Sequence, residues 1–375
     1  MKKIKILFIF GTRPEAIKVA PVIKQFQAEQ EIFSTKICST GQHKEMLSQV
    51  IDFFNINIDY DLGLMTKNQS LNTLSAKIIV SLKEVFDAEN PDYVFVHGDT
   101  TTTAFASIAA FYNHIKICHI EAGLRTNNKY SPFPEEINRS ITGKLADLHF
   151  APTEEAKQNL LKENISDDMI YVTGNTVIDA LLAGVKILDC YKNDEIISLE
   201  NQLHSNKKII LVTGHRRENF GGGFINICDA LIEISKNEDV DIIYPVHLNP
   251  NVQKVVHKKL DGIKNIHLIN PLSYPAFLWL MKKSYIILTD SGGVQEEAPS
   301  LGIPVLVMRD TTERPEGVDA GTAILVGTNK DNIISFANKL INEKDFYNTI
   351  SVKKNPYGDG KASKNIVELL KEYAK

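Results

Sequence analysis

Residues 285–316 read YIILTDSGGVQEEAPSLGIPVLVMRDTTERPE, and this run decides the fold. A near-continuous apolar stretch ends at Asp290. Ser291, Gly292 and Gly293 then open a helical segment, and a second apolar stretch, IPVLVMRD, follows. Strand, glycine turn, helix and strand make a parallel unit whose strands are covered on both faces. The alternation continues outward. In the second half it includes KKIILVTG, DIIYPVHL, NIHLINPL and TAILVG. In the first half it runs through KIKILFIF, STKICST, DYVFVHG, IKICHIEA, DLHFAPT and MIYVTG. Amphipathic segments such as LNTLSAKIIVSLKEVFDA and GFINICDALIEISKN lie between these runs. The pattern therefore occurs twice and predicts an α/β chain with two doubly wound, Rossmann-like domains.

The seam falls near residues 176–206, where the sequence turns helical and then polar and charged. This gives a first domain over 1–175 and a second over 176–359. No Gly/Ser-rich linker separates them, so the two are expected to face each other closely across a cleft. A helix, ASKNIVELLKEYAK, closes the chain.

Bulk composition excludes several classes. The chain has 375 residues, 43% of them hydrophobic and 23% charged, which are globular proportions. A net charge of −4 lacks the basic surplus of a nucleic-acid binder. No apolar run reaches the length of a membrane span. The opening MKKIKILFIFGTRPEA has the lysines of a signal peptide, but Arg13 and Glu15 follow the apolar run without a cleavage site, so it reads as a first strand. Cys38, Cys118, Cys190 and Cys228 are scattered without zinc-ligand spacing and are expected to be buried free thiols in a reducing cytoplasm.

Ligands of doubly wound sheets bind at the carboxyl ends of the strands, so the residues after each strand carry the functional signal. After the first come Thr12 and Glu15 at capping-box spacing, with Pro14 in the first helical turn. Arg13 gains nothing from the positive end of a helix dipole and makes sense beside a bound anion. Asp99 ends a later strand and is followed by four threonines, which an ordinary helix cap would explain. Glu121 ends the next, and Glu135 and Glu136 enter the following helix. Dipole compensation explains Glu135 or Glu136 alone, but not Asp99 and Glu121 at strand tips. Three acids converging on one cleft suggest acid–base chemistry or a metal.

The second half supplies cations and N–H groups. His215, Arg216 and Arg217 precede a glycine run that is not a Walker loop. Ser291, Gly292 and Gly293 offer free N–H groups to phosphate oxygens. Glu297 suits sugar hydroxyls, and the fork of Arg314 suits two phosphate oxygens. Together these describe a bound nucleoside diphosphate. His119, His247 and Trp279 read as core or rim residues. Gln42 and His43 mark another polar strand tip.

The segments FGTRPEAIK, HGDTTTT, EAGLRT, SPFPEEINR, GNTVIDAL, TGHRREN, YPVHLNP, LTDSGGVQEEAPSLG, MRDTTERPE and NPYGDG, in this order, resemble the bacterial non-hydrolysing UDP-N-acetylglucosamine 2-epimerases across almost the whole chain. The resemblance implies a GT-B fold whose last helix, residues 360–375, returns to the N-terminal domain. It implies a cytoplasmic homodimer that interconverts UDP-GlcNAc and UDP-ManNAc for surface polysaccharides, with no nicotinamide, metal, membrane or nucleic-acid partner. It places the catalytic groups at Asp99, Glu121, Glu135 and His215. It places UDP-sugar contacts at Arg13, Lys18, Phe277, Ser291, Gly292, Gly293, Glu297 and Arg314. Gln42, His43, Arg216 and His247 match an allosteric site at which some members bind a second UDP-GlcNAc. Two departures stand out: Leu272 replaces a glutamine and Asn68 an arginine found in some members. The alternatives are a hydrolysing epimerase that releases ManNAc, a GT-B glycosyltransferase, and a nucleotide-sugar sensor without turnover.

Overall fold

Each of those apolar runs forms a strand, because Val, Ile and Phe fit a pleated surface buried on both faces. The structure is a computed structural model that describes residues 2–41, 44–66, 69–203, 206–312 and 314–374. The strands are β1 (Ile4–Phe10), β2 (Phe33–Ser39), β3 (Tyr60–Asp61), β4 (Tyr93–His97), β5 (Lys116–Ile120), β6 (Leu148–Ala151) and β7 (Ile170–Val172). They continue as β8 (Lys208–Thr213), β9 (Val240–Pro245), β10 (Ile266–Ile269), β11 (Ile286–Thr289), β12 (Val305–Val307) and β13 (Ala323–Leu325). The two-residue β3 has no apolar run to announce it.

The strands form two parallel sheets. The first has the order β3-β2-β1-β4-β5-β6-β7, the second β10-β9-β8-β11-β12-β13. Both are doubly wound, and the direction of winding reverses between β1 and β4 in one and between β8 and β11 in the other. Those switch points are where such sheets open a crevice for ligands. The chain divides into two compact units, residues 1–183 with 358–375, and 184–357. The first division lies inside helix Thr176–Leu188.

Apolar burial holds each unit separately. In the first, Phe8 stacks on Phe95 at 4.9 Å, and Phe26 meets Phe33 and Phe95 edge-on at 4.9 and 5.2 Å. Aromatic contacts of this kind contribute about 0.5–1.5 kcal/mol beyond area burial. In the second, Ile227 and Leu231 of helix Gly222–Ile234 share one buried cluster with Ile333 and Leu340 of helix Lys330–Asn342. The closing helix, Ala362–Tyr373, belongs to the first unit. Its N-terminal residue Lys361 offers no side-chain cap, and Asp179 substitutes by accepting from the N–H groups of Ala362 and Ser363 at 3.2 and 2.8 Å. Near its other end, Lys371 donates to Glu29 at 2.8 Å.

One sequence expectation needs correction. Cys38, Cys118 and Cys228 are buried, but Cys190 is exposed, since it lies beyond the apolar face of helix Thr176–Leu188. The threonines after Asp99 do form a helix cap: Thr100 accepts from the Thr103 N–H at 3.1 Å, and Thr101–Tyr112 is helical. Among the described residues no helix is long and apolar enough to cross a membrane.

Candidate active site

The first switch point is built around a buried carboxylate. Thr12 and Glu15 form the expected capping box at the start of helix Arg13–Ala28. Glu15 does more than cap. Its Oε2 accepts from the N–H groups of Gly11 and Thr12 at 3.1 and 2.8 Å and from the Thr12 hydroxyl at 2.8 Å. Its Oε1 accepts from the Thr100 hydroxyl at 2.8 Å. One side chain therefore ties the loop after β1 to the loop after β4, and Arg13 and Asp99 ride on the tied segments. Bonds to an ionised acceptor contribute about 1.5–3 kcal/mol each.

The acidic residues at this end have separate partners. Asp99 pairs with Arg139 on the buried face of helix Glu135–Leu145, and its backbone carbonyl accepts from Asn138 Nδ2 at 3.0 Å. Glu121, just past β5, pairs with Lys18 and lies 3.5 Å from His97 Nε2. Burial alone would push the Glu121 carboxyl up, but the charge of Lys18 and the neighbouring His97 outweigh it, so the group is held well below the usual carboxylate range. Its backbone has φ = 60°, the left-handed region that a residue of this size rarely adopts. Such strain persists only where the surroundings impose it.

Glu135 and Glu136, alike in sequence, differ in place. Glu136 is buried and accepts from the N–H groups of Thr126 and Asn127 at 3.1 and 2.8 Å and from Arg139 at 3.3 Å. Glu136 thus closes the loop in front of the helix. Glu135 is half-buried at the first helical position, outside those bonds.

The second switch point repeats the design with the carboxylate on the later strand. Here the carboxylate is Asp290 at the tip of β11, fully buried. Its Oδ2 accepts from the N–H groups of His215 and Arg216 at 2.9 and 2.8 Å and from Asn219 Nδ2 at 3.3 Å. His215 Nδ1 lies 3.4 Å from Oδ1, and its ring stacks on His247 at 5.2 Å with 17° between planes. Burial holds the imidazole below its ordinary value against the pull of Asp290, and His247 and Arg216 act in the same sense as burial. Helix Gly222–Ile234 begins within the glycine run.

Ser291 stands directly before helix Gly292–Glu297, and its carbonyl accepts from Gln295 Nε2 at 3.2 Å. Glu297 is buried at the end of that helix, and Phe277 is half-buried in helix Tyr274–Lys283. Arg314 pairs with Glu296. The NPYGDG segment supports this corner from behind. Asn355 Nδ2 donates to the Glu296 carbonyl at 2.7 Å, and the Tyr357 hydroxyl accepts from the Gly317 N–H at 3.1 Å. Gln42, His43 and Asn68 lie outside the described residues.

Residues 25–371 match the family model described as UDP-N-acetylglucosamine 2-epimerase. The chain belongs to the UDP-N-acetylglucosamine 2-epimerase family. It is 52% identical to the UDP-N-acetylglucosamine 2-epimerase of Campylobacter jejuni, covering 98% of this chain and 97% of that one. Among solved structures it is similar to the UDP-GlcNAc 2-epimerase of Neisseria meningitidis bound to UDP-GlcNAc, with 51% identity, TM-score 0.88, and coverage of 98% and 100%. The Methanocaldococcus jannaschii UDP-GlcNAc 2-epimerase in complex with UDP-GlcNAc and UDP is 36% identical, with TM-score 0.78 and coverage of 98% and 100%. These relatives have the GT-B-like arrangement of parallel sheets and alternating helices, which this epimerase-family chain shares.

Sequence reasoning missed Asp290 and Arg139 as organisers of the two switch points. Both sit inside quoted motifs, yet Asp99, which Arg139 holds, and the His215 loop, which Asp290 gathers, are distant in sequence. Replacing Asp290 with Ala should cost about 3 kcal/mol, because backbone donors lose a charged acceptor in a buried place. Urea unfolding reads that loss. In the same variant the His215 midpoint, followed by proton NMR, should fall below its wild-type value, since the attraction that raises it is gone. An unchanged midpoint would refute the pairing.

Proposed function

We propose that this protein interconverts UDP-GlcNAc and UDP-ManNAc without hydrolysis, by eliminating UDP to a glucal intermediate and adding it back. Family membership and the UDP-GlcNAc bound in two related structures support the substrate. The observation that carries the reaction type is the pair of differently held acids, Asp99 on Arg139 and Glu121 on Lys18, at adjacent strand tips.

The chemistry asks for such groups. The sugar C2 proton has no neighbouring carbonyl and is not acidic. It becomes removable when the C1–O bond to UDP breaks as the proton leaves. Carboxylates among Asp99, Glu121 and Glu135 take the proton from one face and return one to the other. The leaving diphosphate needs preorganised cations and N–H groups. The residues that the resemblance assigns to this task are Arg13, Lys18, His215, Arg314 and the Ser291–Gly293 N–H groups. Glu297 accepts from ribose hydroxyls, and Phe277 contacts the nucleotide.

The resemblance implies self-association, and an exposed face favours it. Phe111, Tyr112 and Ile137 are exposed at 55%, 68% and 42%, and with Ile108, Ile141 and Leu145 they line one largely apolar depression. Contiguous apolar surface of this kind marks interaction sites. We infer a homodimer through this face.

Proton NMR of UDP-GlcNAc with the protein in D2O tests the reaction. UDP-ManNAc should appear with deuterium at C2, and Asp99→Asn should lower kcat by about 10²–10⁴-fold. Retained protium at C2, or free ManNAc accumulating with UDP, would overturn the reading. For the dimer, Phe111→Glu should sediment as a monomer where the wild type sediments at twice the mass; equal masses for both would reject this face.

A further inference from the structure

The geometry points to His97 as a positioning residue for Glu121, whose Nε2–H and the Lys18 ammonium hold the same carboxylate oxygen and leave the other for proton transfer. His97 ends β4, one position before the Gly98–Asp99 turn, and the catalytic assignment drawn from the family motifs does not include it. Its relative exposure is 3%, and among the described residues its buried Nε2 makes no closed hydrogen bond, Glu121 being the carboxylate within ion-pair reach. That nitrogen faces Glu121 Oε2 at 3.5 Å, and Lys18 Nζ contacts the same atom. An ionised carboxylate only accepts, so Nε2 carries the proton. Oε1 is engaged by neither donor. A carboxylate held through one oxygen keeps its orientation while the second oxygen works.

The surroundings fix His97 in this place. Its carbonyl accepts from the Thr103 hydroxyl at 2.5 Å, and the next carbonyl, of Gly98, lies 2.7 Å from His119 Nε2. Thr103 lies 3.1 Å from Glu15 Oε1, so the stapled switch point and the histidine share one network. Lys18 faces Glu121 from helix Arg13–Ala28 and His97 faces it from β4. Behind His97 stand His119 of β5, His149 of β6 and Arg125. Burial pushes those two imidazoles down to about 3 and about 4, so neither adds a charge at neutral pH. His97 and Lys18 are the groups that set how Glu121 is held.

The alternative is a buried histidine that merely fills space. A space-filling residue would affect stability but not the carboxylate. The role in proton transfer rests on the epimerase reading, whereas the hold on Glu121 does not. The test therefore reads both. Carbon-13 NMR of glutamate-labelled protein, with Glu121→Gln to assign the signal, gives the Glu121 midpoint without substrate. In His97→Phe, which keeps the ring and removes the donor, that midpoint should rise by about one pH unit or more, as expected for losing one bond to a charged group. The acid limb of kcat against pH should move up with it, kcat should fall about tenfold or more, and KM should stay within about twofold. His97→Gln, which restores an N–H, should keep the midpoint within about half a unit of wild type. A wild-type Glu121 midpoint in His97→Phe would overturn the proposal, as would a His97→Gln midpoint displaced as far as that of the phenylalanine variant. Failure of wild-type turnover would count against the reaction and leave the midpoint comparison to decide the contact.

Discussion

Two buried carboxylates carry the arrangement of everything else. A doubly wound sheet places its useful residues on the loops that follow the strands, and loops are the least constrained parts of a chain. Glu15 and Asp290 remove that freedom where it matters. Each gathers backbone N–H groups from the loop after the first strand of its sheet. Glu15 then reaches the helix cap after β4, and Asp290 is itself the tip of β11. Both switch points are therefore closed by charge-assisted bonds in dry surroundings. Such bonds strengthen as the local dielectric falls, and lose most when one partner is removed.

Once the loops are fixed, charge can be distributed with purpose. Asp99 and Glu121 sit on adjacent strands, but they draw on different cations from different helices. Their environments can thus be tuned separately, as the proposed epimerisation, with its two proton transfers, requires. The left-handed backbone of Glu121 fits this picture. It costs on the order of 1–3 kcal/mol and aims the side chain where an ordinary strand end would not. Lys18 and the β4 histidine hold it there. In the second unit the stacked His215 and His247 and the Arg314–Glu296 pair are positioned in the same indirect way, through backbone bonds made by Asp290, Asn355 and Tyr357.

Much of this was legible in the sequence because it is written locally. Apolar runs, glycine turns and the Thr12–Glu15 spacing are short-range signals, and they located the strands, both sheets and the capping box. The strand-tip rule then singled out Asp99, Glu121 and His215. What stayed hidden depends on partners distant in sequence. β3 is two residues long and paired by position, with no pattern of its own. Glu136 and Glu135 look alike until burial separates them. Arg139, Asp290 and His97 acquire meaning only when Asp99, the His215 loop and Glu121 are brought to them. Asp179, inside the helical stretch at the seam, serves as the cap of a helix at the far end of the chain. Periodicity records which side of an element is buried, and says nothing about which polar group will be met there.

The central claim is that carboxylates, rather than the loops' own conformational preference, fix the two switch points. Amide hydrogen exchange of Gly11 and Thr12 tests it most directly. These N–H groups should exchange slowly in the wild type, and about ten- to a hundredfold faster in Glu15→Ala, while strand amides of β1 stay protected. Equal exchange at Gly11 and Thr12 in the two proteins would contradict the account.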